Sequence, residues 1–215
     1  MGNPLEQPNV ILLPRLVDFF AYKQADIDNL ANELYTQAVT GWKAQMILNA
    51  YQVGCSGANV NPPSGGDESY LRGVTRRDAE SIAQTWNRDI QRQLIALFNA
   101  RPRGNRYYYL EEMEKWTAAR DGWKSIQIGI QTDQKAASYA QRRFLEENNL
   151  TNVKMKYAGP PPVSDICKER TAAGIVDQAY ALANPAPGHP GPCIHRYQIV
   201  AGGALGADCA TLWLG

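Results

Sequence analysis

Histidine is nearly missing from this 215-residue chain: there are two, beside four cysteines, four methionines and four phenylalanines. An excess of either charge is missing as well, since 22 basic residues face 21 acidic ones for a formal net charge of +1. So even a balance leaves no whole-molecule electrostatic footprint for nucleic acid or an anionic membrane, and any such contact has to be local. No uncharged stretch reaches the ~20 apolar residues of a membrane-spanning helix. The nearest, residues 198–215, is broken by Gly202, Gly203, Gly206 and Asp208. The first fourteen residues lack the basic start and the apolar run of a signal peptide, so a cytosolic folding environment is expected. Four scattered cysteines, Cys55, Cys167, Cys193 and Cys209, are too few for a secreted disulfide framework. In a reducing compartment, cysteines near histidines point to metal before disulfide.

Catalytic signatures are missing too. There is no G-x-x-x-x-G-K-[ST], no G-x-G-x-x-G, no H-E-x-x-H and no Ser-His-Asp set in a recognisable context. The Gly202-Gly203-Ala204-Leu205-Gly206 run is apolar and has no following basic residue to hold a phosphate. Residues 198–215 carry one charge, Asp208, so this tail is expected to be buried in the protein or in an assembly interface.

What is present is helical periodicity. Pro4, Pro8 and Pro14 punctuate residues 1–14, which are expected to form an extended arm. Ile27, Leu30, Ala31, Leu34, Ala38, Trp42 and Met46 then follow three- and four-residue steps. Gly54-Cys55-Ser56-Gly57 ends that helix, and residues 55–70 are expected to form a long loop. A second helix is predicted from Thr75, with Thr75 and Asp78 as a capping box and Ala79, Ile82, Trp86, Ile90, Leu94 and Leu97 as its stripe. Pro102 and Gly104 stop it. A third, very long helix is predicted over 107–147, its buried face marked by Leu110, Met113, Trp116, Trp123, Ile126, Ile130, Ala137, Ala140 and Phe144. Gly122 and Gly129 are candidate bends in it. Beyond Asn149 the alternation of residues 153–157 reads as a strand and residues 196–201 as a second. The expected fold is mainly α: a long-helix bundle over 15–149, followed by a small irregular α+β module over 150–215.

That module holds the chain's clearest chemical grouping. His189, Cys193 and His195 fall within seven residues, in His189-Pro190-Gly191-Pro192-Cys193-Ile194-His195, and Cys167 stands upstream. Two thiolates and two imidazoles would complete a tetrahedral zinc site, and a backbone rich in proline from 185 to 192 needs a cross-link to hold one shape. Asp165 is a substitute ligand by position, and Glu169 is the other nearby carboxylate. Buried thiols, a disulfide and local histidine hydrogen bonds are the competing readings. Arg101, Arg103 and Arg106 before Tyr107-Tyr108-Tyr109 form a second grouping, able to grip phosphate and stack bases. Its plainer reading is a helix–helix turn whose arginines are solvated or pair with Glu111 and Glu112. Glu111, Glu112 and Glu114 sit where a helix dipole favours negative charge.

Residues 132–199 resemble the C-terminal module of the Mu-F-like minor head proteins of tailed bacteriophages. The likeness is carried by Thr132-Asp133 and residues 136–144 on a helix, Met155-Lys156-Tyr157 on a strand, Asp165-Ile166-Cys167, Gly174, His189-Pro190 and Cys193-Ile194-His195. The family pattern has C-P-x-C and H-P-x-C-R-C; here Ser164 replaces the first cysteine, His195 the last, and one extra residue separates His189 from Cys193. The resemblance implies a virion structural protein, assembled in the host cytoplasm and placed near the portal. Portal, capsid, neck or tail components would be its partners, structural zinc its cofactor, and catalysis no part of its role. Two other readings stand beside it. One is a small metal-dependent hydrolase centred on the Cys/His cluster; the other is a nucleic-acid-binding adaptor using the arginine–tyrosine turn.

Overall fold

The structure is a computed structural model. It describes residues 8–55, 60–162, 164–186 and 195–201, with the backbone alone at 8–11, 121–127 and 201. The chain is mainly helical, with a small antiparallel sheet near its C-terminal end. Helix α1 spans Pro8–Phe20, α2 Gln24–Gln52, α3 Gly66–Ala100 and α4 Arg106–Glu147. After them come β1 (Lys154–Ala158), α5 (Asp165–Ala172), β2 (Ile175–Asp177), α6 (Gln178–Ala183) and β3 (Arg196–Ala201).

Two compact units divide the chain: residues 1–33 with 74–126, and residues 34–73 with 127–215. Each of the three long helices contributes a segment to both. This partition replaces the one expected from sequence, a helical body over 15–149 and a separate module over 150–215.

In the first unit, α1 overturns the extended arm expected over 1–14, since residues 8–14 are helical; residues 1–7 lie outside the described residues. Pro14 is inside the helix, where it removes a backbone donor at a cost of about 3 kcal/mol in a free helix. Burial offsets it. Leu16 is 2% exposed, and Leu12, Leu13, Val17 and Phe20 pack around the same core as Trp86, Ile90, Leu94, Tyr109 and Met113. The link into α2 is pinned by Tyr22, whose N–H donates to Asn87 Oδ1 at 2.8 Å and whose ring stacks on Trp86 at 5.6 Å. Trp86 in turn lies 5.8 Å from Trp116. Lys23 N–H donates to Asp26 Oδ2 at 2.8 Å, half of a capping box at the start of α2.

In the second unit, α2 ends as Gly54 predicts. Gly54 has φ +87°, Cys55 N–H donates to Ala50 O and Gly54 N–H to Tyr51 O, the two bonds of a Schellman motif. Asn149, at φ +52°, closes α4 the same way through Leu150 N–H to Leu145 O and Asn149 N–H to Glu146 O. Helix α3 begins at Gly66, nine residues before the predicted cap, with Asp67 and Glu68 in its first turn. Thr75 is therefore interior to the helix and 1% exposed, and the capping-box reading fails. Helix α4 runs without interruption through Gly122 and Gly129.

The sheet order is β2-β1-β3, antiparallel throughout. Strand alternation puts Met155 and Tyr157 inward and Lys154 and Lys156 outward. Across from them on β3 lie Ile199 and Tyr197. This inner face shares one core with Trp42 and Met46 of α2 and with Ala140 and Phe144 of α4. The apolar inner face of this small sheet is buried against helices rather than against a second layer of its own segment.

Candidate functional site

The centre of the second unit is Tyr157, fully buried on the middle strand. Both described members of the predicted cluster lie against it. Its hydroxyl is 3.5 Å from Cys167 Sγ, and its ring lies parallel to that of His195 at 5.1 Å. His195 is 3% exposed and Cys167 1%. Gly159 presses on the imidazole: a Cβ there would come within 2.6 Å of His195 Cδ2. The side chain is therefore walled by a tyrosine ring and a glycine backbone.

Cys167 owes its place to α5. Ser164 is the N-cap of that helix, and its Oγ accepts the Cys167 N–H at 3.2 Å. The serine that stands where the family pattern has a cysteine thus serves as a helix cap. Asp165, the substitute ligand suggested by position, points to solvent: its side chain is 99% exposed and pairs with Lys168. Glu169 is exposed as well. Neither carboxylate faces the buried thiol and imidazole. His189 and Cys193 lie outside the described residues, as do Cys209 and the apolar tail over 202–215. Among the described residues no group of three potential ligands converges on one point. Cys167 and His195 fit a zinc donor set in type and in burial, and a complete set would need His189 and Cys193. Cys55, which lies far from the histidines in sequence and is no part of the metal expectation, is disulfide-bonded.

A cavity of about 370 Å³ opens beside the sheet, lined among others by Leu145, Met155, Ala181, Arg142, Arg196 and Tyr197. Gln45 and Gln141 reach it from α2 and α4. They belong to a polar chain: Gln45 Nε2 donates to Asn49 Oδ1 at 2.7 Å, and Gln141 Nε2 donates to Tyr197 O at 2.8 Å. Gln45 is 1% exposed, yet among the described residues its Oε1 has no hydrogen-bond partner, and neither has the Tyr197 hydroxyl. Burial holds the Tyr197 phenol above its ordinary pKa. Arg196 is neutralised by Asp133, and Arg143 by Asp67 and Glu147. Among the described residues no carboxylate pairs with Arg142. Sequence reading passed over Gln45 and Asn49, although both sit within the apolar stripe of α2, each one position before Met46 and Ala50. A pair of amides four apart inside such a stripe was the available signal.

The arginine–tyrosine turn is built largely for packing. Tyr109 is fully buried, stacks on Phe98 at 4.1 Å and donates its hydroxyl to Arg101 O at 2.5 Å. The Arg101 guanidinium lies over the Tyr108 ring at 4.5 Å, and Asn105 Oδ1 caps α4 by accepting Tyr108 N–H. Only Tyr107 of the three is exposed, at 79%. The glutamates expected to pair with these arginines pair with Lys115 instead, and that lysine holds the Glu111 carboxyl below its usual range.

No helix among the described residues is long and apolar enough to cross a membrane. Comparison of the chain with protein-family models, curated proteins and solved structures returns no match.

Proposed function

We propose that the protein is a bacteriophage virion assembly component of the minor head or neck kind, working through protein–protein interfaces. One observation carries the reading. The separate stretches that resemble the minor head module, on α4, β1 and α5, supply Ala136, Ala140, Phe144, Met155, Tyr157 and Cys167 to a single buried cluster. In this reading portal, capsid, neck or tail proteins are the partners, and the virion is the destination. A structural zinc belongs to the same proposal, with Cys167 and His195 as two ligands and His189 and Cys193 as the others.

The partner side is tested by density-gradient separation of particles from a lysate of producing cells, followed by quantitative mass spectrometry. The protein should sediment with particles at a fixed copy number; recovery only from the particle-free fraction would sink the proposal. The metal side is separate. Purified protein should carry about one zinc per chain, lost in Cys167→Ser and in Cys193→Ser. Non-reducing peptide mapping that joins Cys55 to Cys193 would remove a ligand and end the zinc reading while leaving the assembly reading standing.

A further inference from the structure

Buried polar groups in a folded protein are nearly always hydrogen-bonded, and each exception asks for an explanation. Gln45 Oε1 and the Tyr197 hydroxyl are two exceptions, on residues that line the same cavity. The rest of the wall is chiefly apolar, from Leu145, Met155 and Ala181. At its edge stands Arg142, a cation with no carboxylate beside it among the described residues, while the neighbouring Arg143 and the facing Arg196 are each matched by acids. Ligand sites have this composition: an apolar wall, a few convergent polar groups and one charge that fixes orientation. The volume, about 370 Å³, falls near the small end of such sites and suits one compact molecule rather than a peptide helix.

We propose that this cavity binds a small amphipathic anion, its apolar body against Leu145, Met155 and Ala181, its acidic group at Arg142, and a hydrogen-bond donor directed to Gln45 Oε1. The Tyr197 hydroxyl supplies a neutral donor to the same molecule. A guanidinium with no internal acid favours a carboxylate, sulfonate or phosphate over a neutral head, because a charge-assisted bond is about twice as strong as a neutral one. The site is independent of the assembly reading and of the zinc cluster.

Two dyes of matched shape and different charge test it on the full chain: 8-anilino-1-naphthalenesulfonate, an amphipathic anion, and the uncharged N-phenyl-1-naphthylamine. The wild type should bind the sulfonate saturably, one per chain, and more tightly than the neutral dye. Arg142→Gln, an exposed substitution that leaves the core intact, should weaken the sulfonate about tenfold, the equivalent of one charge-assisted contact, and leave the neutral dye unchanged. Ser138→Phe, which fills the wall from α4, should abolish binding of both, with circular dichroism checking its fold. The proposal is overturned if the sulfonate does not saturate, if Arg142→Gln weakens both dyes equally or neither, or if a folded Ser138→Phe still binds. Should Ser138→Phe not fold, the Arg142→Gln comparison decides alone.

Discussion

Gly41 lies on α2 where α4 comes so close that a Cβ would sit 2.0 Å from Asp133 Oδ1. The same carboxylate pairs with Arg196, so its room to move is limited. In Gly41→Ala the propensity gain of roughly 1 kcal/mol for leaving glycine competes with overpacking of about 1–3 kcal/mol. The expected net result is a loss, read as a lower melting temperature. In an Asp133→Ala background, where the lost Arg196 pair cancels from the comparison, Gly41→Ala should become stabilising; a Gly41→Ala loss that persists in that background would refute the contact. Tyr139 offers a second residue-scale test. It donates to Asp67 Oδ1 at 2.9 Å, and burial first, then that bond, pushes its pKa up to about 12 from an ordinary 10. A pKa raised by folding gives stability that is complete below pH 10 and is lost as pH climbs through 12. Denaturant unfolding between those pH values should show a steep decline in the wild type and a shallower one in Tyr139→Phe. Identical slopes would count against the burial argument.

At the scale of the element, much was legible and the misses have physical reasons. The C-terminus of α2, the whole span of α4 to within one residue and the span of β3 follow from Gly54, from the Pro102–Gly104 break and from strand alternation, all local signals. Helix α1 was hidden because Pro8 and Pro14 read as breakers, whereas the Leu12, Leu13, Leu16 and Val17 face finds a core only in the folded unit. The early start of α3 was hidden because Pro62, Pro63 and Gly65 drew the loop boundary too late. Of the predicted cluster, two members meet at Tyr157 and two lie outside the described residues; the buried amide chain left no motif, since its partners come from distant segments. The caps make the testable case here. Gly54→Ala places a Cβ in a left-handed conformation and should cost about 1 kcal/mol. Asn149→Gly should be neutral or slightly stabilising, because both residues tolerate that conformation. Equal effects at the two sites, measured by urea unfolding, would argue that the positive φ angles are not what the caps depend on.

At the scale of the whole chain, the division into two units says where a cut is tolerated. Truncation after Asn149 follows the sequence-based boundary, but it strips Met155, Tyr157, Tyr197 and Ile199 from the core that also holds Trp42 and Phe144. In a 1–149 fragment, hydrogen-exchange protection should vanish from 34–52 and 127–147 and persist in α1 and in 74–100. Uniform protection would restore the simpler picture of a self-sufficient helical body. The tryptophans supply a way to watch this by light. Trp86 and Trp116, 5.8 Å apart in the first unit, are near enough for their indole transitions to couple and give a paired circular-dichroism band. Trp42, 4% exposed in the second unit, should emit at short wavelength while its core is dry. The couplet of the full chain would then report the melting of the first unit, and the emission maximum of a variant that keeps Trp42 as its single tryptophan that of the second.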